Sequence, residues 1–328
     1  MFKDQVILVT GATGSWGYEL VKQLLTYNPK EIRIFSRNES NQFTMKQEFD
    51  SNPKLHFLIG DIKEKESLNE ACQDVDYVFH LAALKHVPVC EEQPLEALKT
   101  NVIGTQNVID ASIICNVKRV VYISTDKASN PSNFYGLSKA MGERLIIHAN
   151  TLNTKTRFVC IRGGNVLGTN GSVIHVFKKQ IKEKGKVGIT DLRMTRFFLT
   201  LEDAIKLVFK ATFESIGGEI FVMKMPKCKI LDLAKVLIEA SNREDVDIEI
   251  LGIRPGEKIH ELLLSEYEST TTIAYDNEYF VILPSIHIDG LEEHYHNFEY
   301  VDIENYNSST GLISKDEIKE MLQKGGFI

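Results

Sequence analysis

The chain has 328 residues, 43% hydrophobic and 25% charged, a composition typical of a globular protein of about two domains. Its formal net charge of −7 argues against nucleic acid or an anionic membrane surface as the main partner. The five cysteines form no C-x-x-C pair, and no apolar run reaches the roughly 20 residues of a membrane helix. With a strand predicted from about Gln5, no signal peptide is expected either. We therefore predict a cytoplasmic protein with free thiols.

Up to about residue 165, short apolar runs alternate with segments of helical periodicity. The runs are rich in Val, Ile, Leu and Phe, as in parallel strands that are covered on both faces. The predicted strands are Val6–Thr10, Glu31–Ser36, Leu55–Gly60, Tyr77–Ala82, Arg119–Ser124 and Arg157–Arg162. The predicted helices are Glu19–Leu25, Gln42–Phe49, Leu68–Cys72, Pro94–Cys115 and Tyr135–Asn150. This order predicts an α/β fold, a Rossmann-like doubly wound parallel sheet with right-handed crossovers.

After Gly168 the alternation loosens, and loops rich in glycine and charge become more frequent. The predicted elements there are Val173–Lys182, Asp203–Phe213, Glu219–Met223, Ile230–Ala240 and Ile248–Leu251. They predict a smaller α/β substrate-binding domain over residues 166–328, beside a dinucleotide-binding domain over residues 1–165. We expect residues 197–212 to pack back on the first domain.

A glycine-rich turn with G-x-x-G-x-x-G spacing follows the first predicted strand and precedes a helix. Glycine allows a tight turn, close approach of the backbone to a pyrophosphate, and close packing of helix on strand. The helix N-terminus adds N–H groups and a positive dipole end. The predicted pyrophosphate-binding residues are Gly11, Thr13, Gly14, Ser15, Trp16 and Gly17.

The second predicted strand ends at Ser36-Arg37, where NAD-binding proteins usually carry an acidic residue for the ribose 2′-hydroxyl. A hydroxyl and a guanidinium suit a 2′-phosphate instead. We therefore predict NADP as the cofactor, with NAD as the less favoured alternative. Further predicted cofactor contacts follow the third and fourth strands: Asp61, which could accept from the adenine amino group, Ile62, Ala82, Ala83 and Lys85.

Tyr135 and Lys139 lie four residues apart on a predicted helix, so they share one face. We expect the ammonium of Lys139 to lower the pKa of the Tyr135 phenol. The phenolate can then take a hydroxyl proton while hydride leaves for a nicotinamide. A Y-x-x-x-K pair often marks only a solvated helix face, but the preceding glycine motif and Thr125 at a strand end favour catalysis. Both residues are also predicted cofactor contacts.

These motifs together make the chain resemble the extended short-chain dehydrogenases/reductases that modify nucleotide sugars. More narrowly, it is similar to the inverting UDP-N-acetylglucosamine 4,6-dehydratases of polysaccharide and pseudaminic acid biosynthesis. The matching segments cover most of residues 5–265. They are T-G-A-T-G-S-W-G (10–17), A-A-L-K-H-V-P (82–88), T-N-V-I-G-T (100–105), S-T-D-K-A-x-N-P (124–131), Y-G-L-S-K (135–139), G-N-V-L-G (164–168), I-T-D-L-R-M-T-R-F-F (189–198), G-G-E-I-F-V (217–222) and G-I-R-P-G-E-K-I-H-E (252–261).

The resemblance implies a 4,6-dehydration in which C4 of the sugar is oxidised, water is eliminated and hydride returns to C6. Thr125 would hydrogen-bond the reacting hydroxyl, and Asp126-Lys127 would supply the acid/base pair. Related retaining enzymes carry Glu where this chain has Lys127. To act as a base, Lys127 has to be neutral, which requires a depressed pKa. Alternatively, Lys127 is a charged orienting group and Asp126 carries the proton, or Lys127 forms only a structural salt bridge.

The implied substrate, UDP-N-acetylglucosamine, needs local positive charge for its diphosphate, and arginine suits bidentate phosphate contact. The resemblance also implies a homo-oligomer, either a dimer or a hexamer. The predicted substrate-binding residues all fall in the matching segments: Lys85, Asn165, Arg193, Met194, Thr195, Arg196, Arg254 and Glu257.

Two segments depart from the pattern of the resembling family. Gly163 stands where relatives usually have a bulky aromatic residue, and residues 174–176 read Ile-His-Val where relatives often have proline. Inversion at C5, retention, and release of a 5,6-ene product therefore all stay open. His294 and His296 have no third ligand nearby in sequence, so no metal site is predicted. The alternative functions are a UDP-sugar C4 epimerase and a non-catalytic NADP-binding regulatory protein.

Overall fold

The alternating runs of the first half form parallel strands separated by helices, as the sequence predicts. The computed structural model describes residues 2–152, 154–169, 171–243 and 245–328. The strands of this half are β1 (Val6–Thr10), β2 (Glu31–Ser36), β3 (Leu55–Ile59), β4 (Tyr77–His80), β5 (Arg119–Thr125) and β6 (Arg157–Gly163). The helices are α1 (Ser15–Thr26), α2 (Glu39–Glu48), α3 (Lys65–Ala71), α4 (Val87–Glu92), α5 (Pro94–Leu98), α6 (Gly104–Ile114) and α7 (Phe134–Ala149).

The second half contributes shorter strands and further helices. The strands are β7 (Asn165–Val166), β8 (Lys186–Ile189), β9 (Thr195–Leu199), β10 (Ile220–Met223), β11 (Lys227–Lys229), β12 (Asp247–Ile250), β13 (Leu262–Leu264), β14 (Thr272–Ala274), β15 (Tyr279–Ile282) and β16 (Tyr306–Asn307). The helices are α8 (Val173–Lys184), α9 (Leu201–Glu214), α10 (Ile230–Ala240), α11 (Glu266–Ser269), α12 (Leu291–Tyr295) and α13 (Lys315–Lys324). No helix in the described part of the chain is both long and apolar enough to cross a membrane.

A nine-stranded sheet forms the centre of the molecule, in the order β3-β2-β1-β4-β5-β6-β10-β15-β14. The strands from β3 to β10 are parallel, and β15 and β14 pair antiparallel at the far edge. The strand order reverses between β1 and β4, which opens a crevice at the carboxyl ends of these strands. The prediction of a doubly wound α/β fold is confirmed.

The large sheet therefore draws strands from both halves of the chain, because β10, β14 and β15 belong to it. Helix α9 packs against α1, β5 and β6. A second hydrophobic cluster joins α8, α10 and α13 through buried residues such as Phe177, Leu233 and Ile318. The division into domains at residue 165 stays a prediction.

The segment predicted as one helix, Pro94–Cys115, is divided by a π-helical turn over Lys99–Ile103. π-turns inside helices often occur at functional sites. Here the turn places buried Asn101, whose amide donates to the carbonyl of Leu84 and to Ser138 Oγ, both at 2.9 Å. Asn101 Oδ1 also accepts from the Leu84 N–H at 2.8 Å. Asn101 thus ties the loop after β4 to helix α7.

Candidate active site

A cavity of about 690 Å³ lies at the carboxyl ends of β1 to β6. Its wall includes residues that directly follow or end these strands, such as Gly11, Ser36, Thr125 and Gly163. In a doubly wound sheet this edge is where ligands bind. The side-chain hydroxyls of Thr100, Ser124 and Ser172 in that wall are buried without a hydrogen-bond partner among the described residues. Buried polar groups are normally satisfied, so the cavity fits a polar ligand.

The glycine-rich turn forms one side of this cavity and leads into α1. A Cβ on Gly17 would lie 2.4 Å from the carbonyl oxygen of Ala12, so only glycine lets the helix start this close to β1. The structure brings all six predicted pyrophosphate-binding residues to the wall: Gly11, Thr13, Gly14, Ser15, Trp16 and Gly17.

The predicted contacts beyond this turn also line the cavity: Ser36, Arg37, Asp61, Ile62, Ala82, Ala83 and Lys85. Arg37 is half exposed, and its Nη1 lies 3.8 Å from Asp61 Oδ2. The hydroxyl of Ser36 accepts from Gln42 Nε2 at 3.0 Å. Arg37, predicted to bind a 2′-phosphate, therefore lies next to Asp61, predicted to accept from the adenine amino group.

Buried His80 connects the ends of β1 and β4 beneath the cavity. Its Nδ1 lies 2.7 Å from Thr10 Oγ1, and its Nε2 lies 3.0 Å from Thr105 Oγ1. The Thr105 hydroxyl donates to a backbone carbonyl at 2.7 Å, so Nε2 carries the imidazole proton and Nδ1 accepts from Thr10. Burial lowers the pKa of His80 to about 3, and the charge of Lys139 acts in the same direction. The ring is therefore a neutral structural link.

The acid/base pair predicted from sequence lies in a 3₁₀ turn, Asp126–Ala128, directly after β5. Asp126 is fully buried, and its Oδ1 accepts from Thr125 Oγ1 and from Lys127 Nζ, both at 2.9 Å. The first turn of α7 packs tightly against this turn, because a Cβ on Gly136 would lie 2.4 Å from the Lys127 carbonyl oxygen. Gly136 thus brings Tyr135 next to the pair. Thr125, Lys127, Tyr135 and Lys139 line the cavity.

The cation that acts on the Tyr135 phenol is Lys127, whereas the sequence predicted Lys139. Burial raises the pKa of Tyr135 to about 12, whereas the ammonium of Lys127 and a hydrogen bond with Thr125 lower it. Lys139 was expected to supply that cation. Its Nζ instead lies 3.9 Å from the centre of the Tyr122 ring, and burial lowers the pKa of Lys139 to about 7. Lys139 is held partly neutral because burial disfavours its charged form more than Glu143 favours it.

Lys127 does not have the depressed pKa that a neutral base requires. Burial favours its neutral form, but the carboxylates of Asp126 and Glu261 outweigh burial and raise the pKa of Lys127 above its ordinary value. Its Nζ lies 3.5 Å from Glu261 Oε1 in addition to the Asp126 contact. Lys127 is therefore an ammonium in this arrangement.

The predicted substrate-binding residues divide into two groups. Lys85 and Asn165 line the cavity. Arg193 is 68% exposed and is bound to Asp191 at 2.8 and 3.0 Å, and Arg254 is exposed. Buried Thr195 lies 2.8 Å from His260 Nδ1. The residues of this set outside the cavity wall are Arg193, Met194, Thr195, Arg196, Arg254 and Glu257.

At Gly163, where the resembling family usually has a bulky aromatic residue, a side chain from the glycine-rich turn takes up the space. A Cβ on Gly163 would lie 3.2 Å from the Trp16 ring, so Trp16 fills the space that a larger residue 163 would take. Ile174 is buried in the cavity wall. His175 does not line the cavity, and its Nε2 lies 3.0 Å from the Gly168 carbonyl oxygen.

Several residues near the site were not predicted from the sequence. Glu261 ends the matching segment 252–261, but nothing local shows that it contacts Lys127.

Within the described chain, no group of three or more His, Cys, Asp or Glu side chains is placed to bind a metal. Other cavity residues not predicted from sequence include Phe35, Asn38, Gly60, Leu84, His86, Thr100, Ser124, Val166, Ser172 and Phe198.

The chain is similar to known proteins in both sequence and structure. Residues 7–283 match the family model described as polysaccharide biosynthesis protein. A UDP-N-acetylglucosamine 4,6-dehydratase (inverting) from Campylobacter jejuni is 46% identical, covering 87% of this chain and 85% of the relative. A UDP-glucose 4-epimerase from Rickettsia bellii is 41% identical, covering 98% of this chain and 96% of the relative. The X-ray structure of Pen from Bacillus thuringiensis has a TM-score of 0.92 at 40% identity and covers 98% of this chain and 99% of that chain.

The resemblance inferred from the motifs is thereby confirmed over most of the chain. The family match includes the glycine-rich turn, the Asp126-Lys127 turn and the Tyr135–Lys139 helix, all of which meet in one cavity. The chain therefore belongs to the polysaccharide biosynthesis protein family and is an enzyme with the short-chain dehydrogenase/reductase fold.

Proposed function

We propose that the protein is an NADP-dependent 4,6-dehydratase of UDP-N-acetylglucosamine. The observation that carries this proposal is the Asp126-Lys127 ion pair beside Tyr135. Lys127 and Tyr135 line the cavity, and Asp126 is fully buried next to Lys127, outside the cavity wall. Oxidation at C4 needs only a phenol and a cofactor, whereas elimination across C5 and C6 also needs an acid and a base. The 46% identity to a dehydratase supports the same reading.

The residues present fit a bound dinucleotide. The glycine-rich turn and the N-terminus of α1 would hold the pyrophosphate, and Ser36 with Arg37 would hold a 2′-phosphate. Thr100, Ser124 and Ser172 offer hydroxyls in the wall that have no partner in the described part of the chain. The nicotinamide, when bound, supplies a reversible hydride acceptor and donor.

The side chains of the site then act in a defined order. Tyr135 takes the proton of the C4 hydroxyl, which Thr125 helps to orient, and the resulting 4-ketone makes the C5 proton acidic. Lys127 first passes a proton to Asp126, 2.9 Å away, and the resulting amine takes the C5 proton. Asp126 then gives its proton to the C6 hydroxyl, which leaves as water. Lys127 supplies the positive charge that favours the phenolate of Tyr135.

Incubation of the purified protein with UDP-N-acetylglucosamine in D2O tests this reaction. Mass spectrometry is expected to show loss of one water, and NMR is expected to show deuterium at C5. An isomer of unchanged mass would identify a C4 epimerase. Absence of turnover with bound NADP retained would favour a regulatory protein. NMR of the product also decides among inversion, retention and a 5,6-ene.

The C4 epimerase is the second candidate, because a relative named UDP-glucose 4-epimerase is 41% identical and covers 98% of this chain. An epimerase uses the phenol and the cofactor but has no step at C5 or C6. It leaves the Asp126-Lys127 pair without a chemical role, and burying the charged Asp126 carboxylate costs stability. The dehydratase proposal accounts for the pair.

Replacing Arg37 with Gln is expected to weaken NADP binding by roughly 10- to 100-fold, because a charged hydrogen bond contributes about 1.5–3 kcal/mol. NAD binding should change little. Trp16 is the one tryptophan of the sequence and lies in the cavity wall, so its fluorescence can report binding of both cofactors. Equal losses for NADP and NAD would contradict a 2′-phosphate contact.

Homo-oligomer formation and a cytoplasmic location remain predictions. Leu137 and Met141 on α7 are each 48% exposed, and light scattering of the purified protein would show whether such apolar surface is covered by a second copy.

A further inference from the structure

Lys127 contacts a second buried carboxylate besides Asp126. Glu261 directly precedes β13 and is almost fully buried. Its Oε1 lies 3.5 Å from Lys127 Nζ, whereas Asp126 Oδ1 lies 2.9 Å from the same nitrogen. One ammonium is thus shared by carboxylates from two distant parts of the chain.

Arg196 fixes Glu261 in this position. Its Nε lies 3.5 Å from the same Oε1 of Glu261. The rest of the guanidinium is held by backbone carbonyls, because Nη1 donates to Thr195 and Ile259 and Nη2 donates to Lys258, at 2.7 to 3.1 Å. The arginine is therefore rigid, and the carboxylate oxygen near Lys127 is rigid with it.

Each of the two carboxylates carries an unsatisfied oxygen. Asp126 Oδ2 and Glu261 Oε2 are buried and have no hydrogen-bond partner within the described residues, and the same holds for Lys258 Nζ. Leaving buried polar atoms unpaired costs stability. Two such atoms on the partners of a single ammonium are unusual for a purely structural salt bridge.

The charged groups around Lys127 allow an internal proton transfer without a change in total charge. Asp126, Glu261 and Arg196 act electrostatically on both Lys127 and Lys258, and the Tyr135 phenol is influenced by Lys127 and Asp126. Loss of the Lys127 proton to solvent would leave the two carboxylates with one cation fewer in a buried site. Transfer of that proton across 2.9 Å to Asp126 instead creates a neutral base and a protonated acid together.

We propose that Glu261 is a positioning residue for the acid/base pair: it holds the ammonium of Lys127 beside Asp126 and keeps the proton on lysine until the sugar reacts. This inference rests on the proposed function. The Lys127 N–H bond breaks with its electron pair left on nitrogen, and the proton forms an O–H bond on Asp126. The amine then takes the C5 proton, whose bonding pair moves into the 4-ketone. Asp126 protonates the departing C6 hydroxyl, which leaves as water with the C–O bonding pair.

Competitive acetylation tests this role without any substrate. The full-length protein with bound NADP is treated with trace acetic anhydride over a range of pH, and mass spectrometry follows the Lys127 peptide. In Glu261→Gln, the midpoint for acetylation of Lys127 is expected to fall by about one to three pH units, because a nearby opposite charge favours the charged form. Glu261→Asp, which keeps the charge, is expected to restore the wild-type midpoint.

Two further variants serve as a control for loss of a nearby charge and as a second neutral replacement of Glu261. Glu257→Gln removes a carboxylate that lies 3.9 Å from Arg196, and it should leave the Lys127 midpoint unchanged. Glu261→Met removes the charge without leaving a polar group buried, in case the amide variant folds poorly. An unmoved midpoint in both neutral Glu261 variants would overturn the inference.

The pH profile of dehydration connects the result to catalysis. Because dehydration requires the one proton that Lys127 and Asp126 share, its fall at high pH should begin at lower pH in Glu261→Gln. A lower rate with an unmoved profile would show a merely structural role and contradict the inference. A moved acetylation midpoint without any turnover of UDP-N-acetylglucosamine would reject the proposed substrate alone.

Discussion

Replacing Lys127 with Ala is expected to reduce dehydration and C5 exchange by roughly 10²- to 10⁴-fold, the usual contribution of a positioned acid or base. Cofactor binding, followed by Trp16 fluorescence, should stay near the wild-type value because the glycine-rich turn is untouched. Oxidation at C4 should persist in part, so the reduced nicotinamide is expected to accumulate and to be visible by its absorbance.

Lys118→Ala is a suitable control for this variant. Lys118 directly precedes β5, at the opposite end of the strand from the cavity, and its Nζ lies 2.8 Å from Asp76. Its loss should leave turnover unchanged. If C5 exchange in Lys127→Ala continued at the wild-type rate, Lys127 would be excluded as the base, and Asp126 would take that role.

Replacing Arg162 with Met is expected to have the largest effect on stability, lowering the free energy of unfolding by roughly 3–5 kcal/mol. Arg162 is 1% exposed and binds Glu143 at 2.7 Å and Glu268 at 2.8 Å. It also donates to the Leu263 carbonyl at 2.8 Å. Removing it leaves two buried carboxylates uncompensated and separates β6, α7 and α11. Denaturant unfolding of both proteins at neutral pH measures the difference.

Arg193→Met provides the matched control, since this arginine also binds a carboxylate in bidentate fashion but is 68% exposed. Exposed ion pairs contribute little to stability, so its unfolding curve should superpose on that of the wild type. Equal effects of the two substitutions would show that burial of the Arg162 cluster does not matter.

The pH dependence of wild-type stability should carry the signature of this cluster. Burial alone would raise the pKa of Glu268, but the charge and hydrogen bonds of Arg162 outweigh it and lower that pKa to about 2. A carboxyl with a depressed pKa stabilises the fold above its unfolded pKa of about 4.3 and loses that contribution as pH falls toward the folded value. Wild-type stability should therefore drop between about pH 4 and pH 2, and Arg162→Met should lack this part of the drop.

The fold and the glycine-rich turn at the cavity edge could be predicted from local patterns. Continuous apolar runs specify buried parallel strands because both faces are covered, and the six predicted strands of the first half all form. Gly11 and Gly17 meet a backbone requirement that a larger residue would not, because a Cβ at either position would lie within 2.7 Å of neighbouring backbone. Such signals are local, since each depends on a few neighbouring residues and on a helix or strand period.

The substrate side was harder to predict because it depends on loops of the second half. Arg193 and Arg254 are charged residues in matching segments, yet the structure leaves them exposed and outside the cavity wall. Trp16, from the turn that follows β1, fills the space beside Gly163 at the end of β6. Neither placement follows from spacing, because both depend on how distant loops meet.

The sequence by itself determined the six parallel strands of the first half, the position of the glycine-rich turn and the candidate side chains Asp126, Lys127 and Tyr135. Only the tertiary structure decided the charge state of those side chains. Lys127 is an ammonium because Glu261, far along the chain, joins Asp126 around it. Lys139 is partly neutral because the fold buries it. Protonation follows from burial and from neighbouring charge, and both are properties of three-dimensional packing.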